Sequence, residues 1–322
     1  MGDAGTRIGD ALASRLRRPA ARPPLVAMPM ANSREIIHCI RDAIDVGLAQ
    51  FVLIGPADEA RRLASEHGVD LSATTFVDQT DAATACRVAA DMAAAGTVQV
   101  LMKGHVQTSD FVRSILGRKR GLAPAGRLLS HVALCDVPGY DRIFLLTDAG
   151  ITTYPGAAQK RLIVLNALAC ATAVGLERPR VAMVAPVEKV SEKVPSTGEA
   201  AAVVEGFAGD DRLEIDGPFG LDVAISRDAA RTKGIGGEVA GRADILVMPN
   251  IDAANVLYKS LTGFARARTA GIIAGAAVPI VLTSRSDSEE SRLNSLRFAL
   301  IAARGRTEHV PRVGGPEQSA IV

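Results

Sequence analysis

Tryptophan is absent from this 322-residue chain, and aromatic residues together make up only 3% of it. A core built on large rings is thereby excluded, so the 48% hydrophobic content must be met by aliphatic side chains and alanine. The four cysteines, Cys39, Cys86, Cys135 and Cys170, stand far apart with no C-x-x-C pair. Neither a zinc site nor a disulfide framework is predicted from them, and a reducing cytoplasm is the simplest home. No uncharged run reaches the roughly 18 residues that span a bilayer; the longest, near 271–282, is broken by Pro279. The opening "MGDAGTRIGDALASRLRRPAARPP" has no apolar segment of the kind a secretory signal needs, and a loose or short helical lead-in is expected there. Lys and Arg are scattered and the net charge is only +2, which gives no electrostatic footprint for nucleic acid. Small anionic substrates stay open, because a local arginine cluster requires no global charge.

What the chain does have is length for two domains or one large α/β unit, with 22% charged residues and little expected disorder. From Leu25 onward, short apolar runs alternate with amphipathic segments, the signature of a parallel sheet with helical crossovers. Strands are predicted at 25–29, 50–55, 74–77 and 98–102, with helices at 33–46, 56–68, 81–95 and 108–117 between and after them. The basic, Gly- and Pro-containing "GRKRGLAPAGR" (117–127) interrupts this rhythm and marks the best domain boundary. Beyond it, strands are predicted at 128–137, 142–148, 180–186, 212–217 and 244–249, and helices at 156–174, from about 197, at 221–231 and at 252–268. "GIIAGAAVPIVLTS" (271–284) supplies one or two further strands before a last helix at 288–303, and the Gly/Pro-rich tail is expected to be mobile.

The stretch "PIVLTSRSDSEESRLNS" (279–295) sets a β-branched run against a small polar cluster with one arginine. In structural terms Asp287 and Glu290 match a capping box that starts a helix, and Leu293, Leu296 and Leu300 follow as its apolar stripe. In functional terms, a turn between a buried strand and a helix N-terminus aims N–H groups and a positive dipole end at a crevice. Arg285 adds a planar fork suited to phosphate or carboxylate. The two readings are compatible. "GIGGEVAG" (234–241) is no dinucleotide fingerprint, lacking the strand before it and the ribose-binding acid after it. No P-loop, H-E-x-x-H or paired-carboxylate metal site is visible, and no metal is expected.

Five ordered blocks resemble the phosphate acetyltransferase and phosphate butyryltransferase family, more closely the butyryltransferase branch. They are "GHVQTSDFVRSIL" (104–116), "EKVSEKVPSTGEAAAV" (188–203), "DGPFGLDVAIS" (216–226), "GEVAGRADILVMPNIDAANVLYKSL" (237–261) and "GIIAGAAVPIVLTSRSDSEESRLNS" (271–295). The resemblance implies two α/β/α domains with a cleft between them, related to the isocitrate and isopropylmalate dehydrogenase architecture. The first would comprise 1–125 with a returning segment 275–322, and the second 126–274. It implies reversible reaction of a short-chain acyl-CoA, butyryl or acetyl, with orthophosphate to give an acyl phosphate and CoA. Coenzyme A and orthophosphate are then substrates, no cofactor is permanently bound, and a homodimer or larger assembly is expected, without nucleic-acid or membrane partners.

Acyl transfer to phosphate needs a positioned anion, stabilisation of the developing oxyanion and a route for the thiol proton. By resemblance Arg285 suits the first task and Ser284 the second or third. Arg113 matches a family arginine of the phosphate subsite, and Thr108 and Ser109 lie one turn before it as candidate anion contacts. The base is the point of departure: where the acetyltransferase branch carries an aspartate one turn after the Ser-Arg pair, this chain has Ser291. A serine at its ordinary pKa cannot act as that base unaided. Asp287 and Glu290 flank it, Glu290 being the better substitute if Asp287 is held as the cap; otherwise nearby positive charge stabilises the thiolate directly. Asn255 and Lys259 are candidate CoA contacts; His105 follows a strand end, where a structural role is commoner than a catalytic one, and Asp148 follows another, where it either orients cleft residues or starts a turn. Since no cysteine falls in these blocks, a direct ternary mechanism is expected. Two other classes remain: a non-catalytic CoA- or acyl-phosphate-binding protein that has lost its base, and a metal-dependent dehydrogenase of related architecture.

Overall fold

The computed structural model describes residues 7–16, 23–116, 122, 126–282 and 287–308. The predicted lead-in is a helix, α1 (Arg7–Leu16), whose Ile8 and Leu12 lie one turn apart and are buried. Then follow β1 (Leu25–Pro29), α2 (Arg34–Asp45), β2 (Gln50–Gly55), α3 (Ala57–Glu66), β3 (Thr75–Asp78), α4 (Ala82–Ala94), β4 (Val100–Met102) and α5 (Thr108–Leu116). The helices form where the predicted spacing places them. Ile36, Ile37, Ile40 and Ala43 make one buried stripe of α2, and the alanines 85, 89, 90 and 93 let α4 sit close to the sheet. Asp81 caps α4 by accepting from the Thr84 N–H at 2.8 Å.

The second stretch runs through β5 (Ser130–Asp136), β6 (Ile143–Thr147), α6 (Ala157–Ala173), β7 (Arg180–Val184), α7 (Pro195–Glu205), β8 (Glu214–Phe219), α8 (Leu221–Ile225) and α9 (Arg227–Thr232). It closes with β9 (Ile245–Val247), α10 (Ile251–Gly263), β10 (Arg268–Ala274), β11 (Ile280–Val281) and α11 (Glu289–Glu308). One expectation fails here: the helix predicted over 252–268 ends at Gly263, and residues 268–274 are strand. Every residue of β10 pairs with β5, and that ladder overrides the helical propensity of the Ala/Arg segment before it.

All these strands belong to one sheet of order β3-β2-β1-β4-β11-β10-β5-β6-β9-β7-β8. Strands β1 to β4 run parallel with β11, and β6, β9, β7 and β8 run parallel with one another. Between these groups β10 is antiparallel to both β11 and β5, and β5 to β6. One face carries a continuous apolar cluster shared by α1, α2, α6, α7 and α11. The other face carries two clusters, one under α4 and α5 and one under α8, α9 and α10. The central strands β10 and β5 lie where those two clusters meet. The last helix packs chiefly on β10 and α1, and also on α6, α2 and β4.

Candidate active site

The link from β4 to α5 is held by close backbone packing. A Cβ on Gly104 would fall 2.1 Å from the Pro29 carbonyl oxygen and 2.5 Å from that of Met30, so only glycine fits. The next residue, His105, donates its N–H to the Met30 oxygen at 2.7 Å. Lys103 is buried, and its Nζ donates to the carbonyls of Gly104 at 3.2 Å and Val106 at 3.1 Å. Thr108 and Ser109 then stand exposed in the first turn of α5, where unpaired N–H groups favour an anion. Arg113 lies further along the same helix, 78% exposed in its side chain, and pairs with Asp110 at 3.1 Å.

Strand β11 is the neighbour of β4 and runs parallel to it, so the segments leaving the carboxyl ends of both strands start side by side. Ser284 and Arg285 lie outside the described residues. Helix α11 is capped by Ser288, whose Oγ accepts from the Ser291 N–H at 3.1 Å. Asp287 is therefore not the cap that the sequence suggests, because the helix begins at Glu289 and a hydroxyl one residue later takes the N–H. The structure also separates the two acidic candidates. Glu290 points to Arg268, at 3.5 Å, with its side chain 46% exposed. Asp287 is half-buried and acts electrostatically on His131 and Tyr258.

Helix α10 is capped by Asn250, which accepts from the Ala253 N–H at 3.0 Å. Asn255 donates to the Ala149 carbonyl at 3.0 Å, tying the helix to the turn after β6. That turn is built by Asp148: its Oδ1 accepts from the N–H groups of Gly150 and Ile151 at 2.9 and 3.0 Å, and its Oδ2 from Thr152 at 2.9 Å. Of its two possible roles, the turn-forming one is what the hydrogen bonds describe. Lys259 is exposed, its Nζ 5.7 Å from the Tyr258 ring centroid. The Tyr258 hydroxyl meets Thr269 Oγ1 at 3.1 Å. Burial pushes the Tyr258 phenol up to about 12, with Asp287 adding to the effect and the Thr269 bond opposing it.

Three of the four thiols are held in a form that does not act as a nucleophile. All four cysteines are buried and none is in a disulfide, and burial raises Cys39 and Cys135 to about 12 and Cys86 to about 11. A thiol held that high stays protonated at working pH and does not attack.

Residues 81–302 match the family model described as phosphate acetyl/butaryl transferase. The chain belongs to that family. Phosphate butyryltransferase of Clostridium beijerinckii is 41% identical over 303 residues, covering 92% of this chain and 98% of the relative. Phosphate acetyltransferase of Rhizobium meliloti is also 41% identical, over 276 residues, 84% of this chain and 87% of the relative. Among solved structures, a branched-chain phosphotransacylase from Enterococcus faecalis V583 aligns with a TM-score of 0.77 at 34% identity, covering 87% of this chain and 99% of that one.

In this member of the phosphate acetyl/butaryl transferase family, sequence reasoning passed over His131, Tyr258, Thr269 and Gly271. His131 stands on β5 opposite Ile273, on the sheet face where the α4/α5 and α8/α9/α10 clusters meet. Its ring packs edge-on against Tyr258 at 5.8 Å between centroids, and its Nε2 lies 2.8 Å from where a Cβ of Gly271 would be. The one signal in the sequence was a lone imidazole inside the apolar run "LLSHVALCDV" (128–137).

Proposed function

We propose that the protein is a phosphate acyltransferase that moves a short acyl chain, butyryl or acetyl, reversibly between CoA and orthophosphate. The observation that carries this is the family match over residues 81–302, which takes in α5, α10 and the turn around Ser284 and Arg285. The equal identities to a butyryltransferase and an acetyltransferase leave both acyl chains in the proposal. Phosphate is held by Arg285 and Arg113 with the first turn of α5, where Thr108 and Ser109 add hydroxyl donors. The exposed helix N-terminus next to the end of β11 supports this subsite. CoA lies along α10, with Asn255 and Lys259 as its contacts, and Ser284 attends the carbonyl oxygen or the sulfur. Asp287 and Glu290 flank the reaction centre, with Asp287 the better placed of the two to influence it, since Glu290 is engaged by Arg268.

Transfer is direct, without an acyl-enzyme, in keeping with the buried, high-pKa thiols. No cofactor is permanently bound; CoA and orthophosphate enter as substrates. The cleft lies between a domain of residues 1–125 with 275–322 and another of 126–274. The reversals of strand direction across β11, β10 and β5 support that division. The exposed Val256 and the 92% exposed Phe264 of α10 and its C-terminus support a homodimer, and cysteines outside any disulfide support a cytoplasmic setting. No helix among the described residues is long and apolar enough to cross a membrane.

The experiment is free-thiol release from acetyl-CoA and butyryl-CoA with and without orthophosphate, for the native protein and Arg285→Ala. Phosphate-dependent release by the native protein is expected, falling at least about 100-fold in the variant as an anion contact is lost. A folded native protein that binds CoA but releases no thiol would replace this reading with a CoA-binding protein on the same scaffold.

A further inference from the structure

The missing acid at Ser291 leaves the thiol proton to another group, and besides Asp287 and Glu290 the central strands hold one suited to it. His131 Nδ1 is buried and has no hydrogen-bond partner among the described residues, an arrangement native interiors rarely leave unexplained. A neutral imidazole has one ring nitrogen with a free lone pair, and an S–H or phosphate O–H is the kind of group that would fill it. The ring is fixed rather than loose: Tyr258 packs against one side, and the missing side chain of Gly271 gives Nε2 its space. The charged and titratable groups around it come from three elements. They are Asp148 after β6, Asp287 before α11, and Lys259 with Tyr258 on α10. Burial lowers the imidazole pKa, Lys259 adding to the effect while Asp148 and Asp287 oppose it, so the ring is neutral at working pH and able to accept.

We propose that His131 is the catalytic base toward the CoA thiol, in place of the carboxylate that the chain lacks at Ser291. The proposal rests on the acyltransferase reading of this face. In the direction that makes acyl-CoA, the sulfur attacks the acyl carbon, the S–H proton passes to the imidazole, and the bond from carbon to the phosphate oxygen breaks. The departing phosphate takes the proton from the imidazolium and leaves as hydrogen phosphate. The reverse direction returns the same proton to the sulfur, so no further reactant is needed.

The test measures acyl-CoA formation from acyl phosphate and CoA across pH for the native protein and His131→Gln. The native rate should be flat around neutrality and fall only on the acid side of the ordinary imidazole range, about 6.5. His131→Gln should keep its KM for CoA within about threefold while kcat falls about 100-fold, the usual size of a lost base. Its rate should then climb about tenfold per pH unit toward the thiol pKa, because only pre-formed thiolate reacts. A merely structural histidine would not change the shape of that profile. A folded His131→Gln with native kcat, or with a low kcat and an unchanged pH profile, overturns the proposal. Gly271→Ala serves if that variant does not fold: its methyl meets Nε2 at 2.8 Å and must displace the ring, so kcat should fall tenfold or more, and an unaffected kcat also overturns the proposal. A native protein with no thiol chemistry removes the acyltransferase reading and this proposal with it, whereas an active native protein beside a pH-indifferent variant removes this proposal alone.

Discussion

Replacing Gly104 by alanine tests whether the close approach of β4 to the end of β1 positions the phosphate side of the cleft. The new Cβ would lie 2.1 Å from the Pro29 oxygen and 2.5 Å from the Met30 oxygen, both backbone atoms. Neither can rotate away, so the two strand ends must part by about 1 Å, as packed contacts of this kind cannot be compressed. Overpacking of this sort costs about 1–3 kcal/mol. The 2.7 Å bond from the His105 N–H to the Met30 oxygen goes with it, adding about 1 kcal/mol. The sum is about 2–4 kcal/mol. At an unfolding entropy of about 2.1 cal/mol/K per residue, the whole chain gains about 0.7 kcal/mol/K, so the melting temperature should drop by about 3–6 °C. Calorimetry reads that shift. Because α5 follows directly, the KM for phosphate should rise more than the KM for CoA in initial-rate measurements with each varied in turn. A Gly104→Ala protein melting within 1 °C of native, roughly a quarter of the drop expected from that entropy, and showing unchanged kinetics would refute the reasoning.

Other perturbations have equally definite outcomes. Asp244 joins β7 to β9 by accepting from Arg180 N, Nε and Nη2 at 2.9, 2.8 and 2.9 Å. Removing it as Asp244→Ala should cost about 2–3 kcal/mol, below the full loss for a buried pair because Arg180 can still reach water, and a lowered urea midpoint would show it. The raised pKa values of Cys39, Cys86 and Cys135 keep these thiols protonated across pH 7–9. Iodoacetamide at about pH 8, below even an ordinary thiol pKa, should label none of them in the native protein and all of them once it is denatured; mass spectrometry of peptides distinguishes the cases, and native-state labelling at Cys135 would contradict its burial.

Much of the fold was legible because its signals are local. "LVAMP" (25–29) and "QFVLIG" (50–55) read as strands from their apolar runs, and α2 from the spacing of Ile36, Ile40 and Ala43. The end of α10 was not legible, since nothing in "GFARARTAG" (263–271) announces that Arg268 will pair with Asp136. The cap of α11 was misread for a finer reason: Asp287, Ser288 and Glu290 all suit a helix start, and a one-residue shift decides which side chain meets the free N–H. The family-like block around Arg113 supplied the phosphate-side candidates of the proposed site. The group around His131 was not legible, because residues 131, 148, 258, 271 and 287 meet only once β5 lies between β10 and β6. Burial and an unfilled lone pair are properties of that assembled neighbourhood, and no spacing along the chain encodes them.

The place of β11 between β4 and β10 has a consequence for the order in which the chain can take shape as it is synthesised. Strand β4 is complete at Met102, yet the partner for its second edge, β11, begins only at Ile280. The nascent first segment can pair β4 with β1 and must then keep an apolar strand edge open while nearly 180 further residues, 102 to 280, emerge. At about 5–20 residues per second that interval is on the order of 10–40 s. An open edge of this kind is a template for wrong pairing. Closure depends on a contact between distant parts of the chain, the slow class of folding event. The protein is therefore most exposed to aggregation before β11 has left the ribosome.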